Sequence, residues 1–106
     1  MKKRNSTRTG RVVLVRSVVL VRTFSAGVHV GILVRRVGKE VWLRDACRIW
    51  RWRGANTLSE LSQNGADYDY TRISERVPSI ELTEAIEIID CSPHAAENLR
   101  KARWPA

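Results

Sequence analysis

The 106-residue chain is 43% hydrophobic, which is enough for one compact core and too little for two. Its formal net charge of +8 and pI near 10.5 point to an anionic partner: nucleic acid, a nucleotide or a negatively charged membrane surface. Cys47 and Cys91 stand alone, which excludes a disulfide-rich scaffold and a thiolate zinc framework and fits a reduced, intracellular protein. The charge is segregated along the chain. Ten Lys and Arg residues precede the first carboxylate, Glu40, whereas Glu75, Glu81, Glu84, Glu87 and Asp90 gather later. A domain this small and this charged is expected to gain stability by self-association.

Residues 1–10 are polar and basic and read as a flexible tail, with 11–106 forming a single β-rich domain. Residues 11–22 hold Val-Val-Leu-Val-Arg twice, at 12–16 and 18–22; two copies are too few for a solenoid, and the β-branched content predicts one long strand or two. The stretch is interrupted by Arg16 and is too short to cross a bilayer or serve as a signal peptide. Ser25, Ala26 and Gly27 should turn the chain into a second strand over 28–37, with Gly31 marking a bulge or a close backbone approach. Gly38 then gives a hairpin into a third strand at 40–43.

Residues 45–53 fit a helix or a strand, and the extended reading, taken here, places Arg48, Trp50 and Trp52 on one face. Thr57 and Glu60 have capping-box spacing for a short helix ending at Asn64 and Gly65, and 67–70 read as a loop. Pro78 should break the chain before an Ile-rich strand over 80–90, interrupted in pattern at Glu84; a helix aligns its apolar residues almost as well. Ser92 and Pro93 open a closing helix with Ala95, Ala96, Leu99 and Ala102 on one side and Trp104 anchoring its end. The expected fold class is α+β: a mainly antiparallel β-sheet protomer with two short helices, assembling as a homo-oligomer.

No catalytic machinery is visible. His29 and His94 lie far apart without ligand spacing, Glu81, Glu84 and Glu87 read as a solvated face, and no glycine-rich phosphate loop exists, so neither a metal nor a cofactor is expected. The stronger constellation is Trp42, Arg44, Arg48, Trp50, Arg51, Trp52 and Arg53, because indoles stack on bases and guanidinium forks bond phosphate. Tryptophans in a small domain more often supply core mass with arginines stacked over them, whereas for Arg48 a ligand contact and a structural role are balanced. A second candidate is 22–28, where Arg22, Phe24, Ser25, Ala26, Gly27 and Val28 form a strand end and small-residue turn whose amides and hydroxyls suit an anion. A third is the basic terminus Arg100, Lys101 and Arg103, which either closes a pocket or complements the helix dipole.

The segment 22–28, residues 45–52 with Gly54 and Ala55, Leu58 to Leu61, and Leu82 to Ile89, in this order and spacing, resemble the Thoeris anti-defence sponge family of phage proteins, over roughly residues 18–91. The resemblance implies a homodimer, in some members a hexamer built as a trimer of dimers, that sequesters cyclic ADP-ribose isomers without cleaving them and so blocks Thoeris effector activation. In some members it also implies cyclic di- or trinucleotides held at separate sites. It places the ligand, glyco-cyclic ADP-ribose, in a pocket shared with the partner subunit in the cytoplasm of the infected host. Arg22 and the 25–28 turn lie nearest that pocket by position in the motif, and Arg103 follows more weakly. Arg51, Arg53 and the long basic start depart from the family pattern and leave the ligand's identity open. The competing reading is a small basic nucleic-acid-binding accessory protein, whose affinity would collapse with salt.

Overall fold

The computed structural model describes residues 17–67 and 70–101, the side chain of Lys101 excepted. Among the described residues, six strands and two helices run β1 (Val18–Thr23), β2 (Val28–Val37), β3 (Glu40–Arg51), α1 (Leu58–Asn64), β4 (Arg72–Ile73), β5 (Val77–Leu82), β6 (Ala85–Asp90) and α2 (Pro93–Lys101). The fold is α+β and mainly antiparallel. Residues 11–16, Ala102, Arg103 and Trp104 lie outside the described residues.

The sheet runs β6, β1, β2, β3, with β5 and β4 sharing the far edge of β3, β5 against its first half and β4 against its second. Only Thr83 and Glu84 separate β5 from β6, although the two pair with strands at opposite ends of that order. A link that short reaches about 10 Å. The sheet therefore has to roll until its ends come together, giving a partly closed barrel.

Strand alternation divides the apolar residues between the two surfaces of this roll. Val19 and Val21 of β1, Val41, Leu43 and Ala46 of β3, Leu82 and Ala85 are buried inside it. Leu20, Val30, Cys47, Ile49 and Ile73 face outward and are covered by Leu61 of α1 and Leu99 of α2. The two helices thus cap one outer face and leave the barrel's mouth uncovered.

Three local irregularities make the roll possible. Register shifts interrupt the β2–β3 ladder between Val30 and Ile32 and between Leu33 and Arg35, and bulges increase twist. Asp45 takes a positive φ of 50°, which Asp tolerates better than most residues, so β3 bends there yet continues. The expected separate elements at 40–43 and 45–53 are accordingly one strand. At Gly31 β2 passes close over β3, since a Cβ there would stand 3.1 Å from the Ala46 Cβ and 3.2 Å from the Arg44 carbonyl oxygen. Gly31→Ala is expected to cost about 1–3 kcal/mol by overpacking, read as a lower denaturant midpoint with an unchanged slope.

Pro78 corrects a second expectation, because it lies inside β5 rather than before a strand. An edge strand tolerates proline on the side that has no ladder to supply. The predicted strand over 80–90 is two strands, with the chain turning at Thr83 and Glu84.

The helices form where their caps dictate. The Thr57 hydroxyl accepts from the Glu60 amide at 3.1 Å, and the Glu60 carboxylate accepts in turn from the Asn56 amide at 3.1 Å. Ser92 caps α2, its hydroxyl accepting from the Ala95 amide at 3.0 Å while donating to the Gln63 carbonyl at 2.6 Å. Asn98 joins the helices by accepting from the Ala66 amide at 2.8 Å and donating to the Ala66 carbonyl at 3.0 Å. Gly65, at φ 76°, leaves the space Asn98 occupies.

Candidate functional site

The barrel interior opens at the end where β1 turns into β2. Beyond Ala46 the inward-facing positions are His29 on β2 and Arg48 on β3, which are register partners. They line an open cleft of about 300 Å³ with Ala46, Cys47, Ser74, Glu75, Val77 and Ile80. Ser74 fixes the far wall: its hydroxyl accepts from the Arg48 amide at 2.8 Å, and its own amide donates to the Arg48 carbonyl at 2.8 Å. A larger opening of about 450 Å³ between the β2–β3 hairpin and β6 holds Arg36, Lys39, Ile86 and Glu87, and none of the sequence-selected residues.

Two of the candidate groups from the sequence meet at the first cleft. Gly27 brings the β1–β2 turn against β3, for a Cβ there would lie 3.8 Å from the Arg48 Cδ, so the arginine stem rests on the turn. His29 Nε2 lies 3.0 Å from the Ala26 carbonyl, tying the cleft floor to the same turn. Trp50, two residues beyond Arg48, is 51% exposed, and Phe24 at the turn is 77% exposed. Exposed aromatic side chains of this kind, one near Arg48 in sequence and one in the turn its stem rests on, suit stacking on a ligand.

Other candidates do not join them. Arg22 has the parity of Leu20 and so faces the helix side, away from Arg48, where its Nε lies 3.4 Å from Glu87. Val28 packs beside the helix-side cluster. The expected anion-binding amides and hydroxyls of the turn are largely satisfied within the fold. Thr23 Oγ1 donates to the Gly27 carbonyl and accepts from the Ala26 amide, both at 2.8 Å. The Phe24 amide donates to the Glu84 carbonyl at 3.0 Å, and the Ser25 hydroxyl donates to the Glu84 carboxylate at 2.6 Å. The turn therefore places Arg48 instead of forming a nest.

Trp52 is a further correction. The β3–β4 register shifts between Ile49 and Arg51, and that extra residue rotates Trp52 off the Arg48 face to pack against the helix-side cluster. Trp42 carries the Arg35 guanidinium 5.1 Å from its ring centroid, and Arg53 lies 4.9 Å over the Tyr70 ring, the stacked arrangement expected of structural aromatics. Arg100 reaches Asp45 at 3.9 Å, and its carbonyl accepts from Arg76 at 3.1 Å, so it braces β3.

Burial pushes His29 below its ordinary value of 6.5, the Ala26 carbonyl opposes this, and the Arg48 charge adds to the lowering. The imidazole is neutral near pH 7, Nε2 carries the proton donated to Ala26, and Nδ1 is left as an acceptor. Because the folded pKa is depressed, the unfolded chain takes up a proton first as pH falls below about 6.5. Stability should decline there by up to about 1.4 kcal/mol per pH unit. Thermal melts between about pH 7.5 and 5.5 should show a steeper loss in the wild type than in His29→Gln, which keeps a donor for Ala26 and does not titrate.

The family model described as a domain of unknown function, DUF6948, matches residues 16–99. The chain belongs to the DUF6948 family. No curated protein and no solved structure matches it. The DUF6948 match takes in all six strands, α1 and most of α2, so the barrel, its mouth and its helical cover all fall within the family domain. No helix among the described residues is long and apolar enough to cross a membrane. His29, Ser74 and Glu75 are site residues that sequence reasoning passed over, since nothing in their spacing shows that β4 and β5 fold back along β3.

Proposed function

We propose that the protein is a non-catalytic binder that captures a small anionic nucleotide at the barrel mouth and holds it intact. The observation that carries this reading is the meeting of Arg48 with the Gly27 turn above the His29 cleft, with Phe24 exposed in the same turn and Trp50 exposed two residues along β3 from Arg48. A guanidinium fork bonds a phosphate in two places, and the aromatic side chains offer π-faces to a base. The resemblance to Thoeris anti-defence sponges gives the reading its specific form. The ligand is then a cyclic ADP-ribose isomer, with cyclic di- or trinucleotides as further cargo, and a second subunit of a homodimer closes the open mouth. Such a protein acts in the cytoplasm of a phage-infected bacterium, withdrawing the immune signal from its effector.

A second reading, nucleic-acid binding, is favoured by Arg44, Arg48 and Arg51, which stand exposed along β3, and by Arg53 just beyond its end. Phosphate backbones are held by such rows with steep salt dependence. Calorimetric titration of cyclic nucleotides and of single-stranded DNA and RNA at about 50 and 300 mM salt separates the two. Nucleotide binding that persists at the higher salt supports capture in the mouth. Oligonucleotide binding alone, lost at the higher salt, favours the second reading.

A further inference from the structure

We infer that the mouth selects ribose over deoxyribose, with Glu75 as the residue that reads the sugar; this rests on the nucleotide reading above. The polar side-chain groups of the cleft divide by what they can still do. The Ser74 hydroxyl is engaged on both sides, accepting from the Arg48 amide and donating to the Glu75 carbonyl at 3.2 Å. Two charged side chains of the lining are exposed, Arg48 and Glu75, and among the described residues they are not paired with one another, whereas His29 is 1% exposed and closes the floor.

These two are of opposite kinds. Arg48 is a cationic donor, whereas Glu75 is a charged acceptor. Ala46 and Val77 add apolar lining. An inorganic anion satisfies Arg48 alone and is repelled by Glu75, so a bare phosphate site does not account for the lining. A ligand carrying a phosphate and a vicinal pair of hydroxyls answers both groups. The phosphate meets Arg48, and the hydroxyls donate to the carboxylate, which takes two donors side by side. Carboxylates recognise ribose hydroxyls in this way in dinucleotide-binding folds. A ligand lacking the hydroxyls leaves Glu75 facing the phosphate uncompensated, and a site built to hydrogen-bond a hydroxyl discriminates strongly against its absence.

The test is calorimetric titration of the full chain with adenosine 5′-monophosphate and its 2′,3′-dideoxy analogue, alongside Glu75→Gln and Arg48→Ala. The wild type is expected to bind the ribonucleotide at least about tenfold more tightly. Glu75→Gln should narrow that ratio, mainly by improving dideoxynucleotide binding as the repulsion is removed. Glu75 is exposed, so circular dichroism of the variant should match the wild type. Equal binding of both nucleotides, still dependent on Arg48, would overturn the sugar selection and leave nucleotide capture standing. No binding of either overturns the sugar selection, and retention of a cyclic nucleotide by the same preparation then shows whether capture itself survives.

Discussion

Leu99→Ala is expected to lower the unfolding free energy by about 2–5 kcal/mol, the range for deleting a fully buried leucine. Leu99 is 0% exposed and is the residue through which α2 joins the helix-side cluster around Leu20, Val30, Cys47 and Ile49. The cavity it leaves cannot collapse readily, because Asn98 and Ser92 hold α2 to α1 by hydrogen bonds on either side. Urea denaturation followed by tryptophan fluorescence reads the loss. A change below about 1 kcal/mol would mean that α2 is not part of the cooperative unit.

Arg48→Ala should weaken nucleotide binding by roughly ten- to a hundredfold, as expected for a lost charge-assisted hydrogen bond to phosphate. Arg48 is exposed, and its backbone bonds to Ser74 survive the substitution, so the melting temperature should change little. Arg22→Ala is the natural control. The sequence motif makes Arg22 the leading ligand contact, whereas the fold places it on the other side of the sheet beside Glu87. Comparing the two variants by calorimetry decides which arginine meets the phosphate within one protomer's mouth. A dominant effect of Arg22 would move the ligand to the opposite face.

The strands and helices that rest on local chemistry were legible from the residues. Valine-rich alternation announced β1 and β2, Gly38 the hairpin, and Thr57 with Glu60 and Ser92 with Pro93 the two helix starts. What was not legible depends on small departures from regular geometry. Asp45 at positive φ lets β3 run on as one strand, and the shift between Ile49 and Arg51 turns Trp52 onto the helix-covered side, and neither has a signature in a single sequence. The Thr83–Glu84 corner mattered most. It rolls the sheet and brings Glu84 to the β1–β2 turn, while the return of the chain along the far edge of β3 sets Ser74 against Arg48. The site was therefore half visible: Arg48 and the Gly27 turn could be singled out by residue type, but their meeting, and the turning of Arg22 to the other side of the sheet beside Glu87, are consequences of the barrel.

The most direct test of capture without conversion is to incubate the full chain with a panel of cyclic ADP-ribose isomers and cyclic di- and trinucleotides, remove free ligand, denature by heat, and identify what is released by mass. The account predicts that one cyclic species is retained by the wild type, is lost in Arg48→Ala, and is released with its mass unchanged. Retention of none of them, or release of a hydrolysed product, would contradict it.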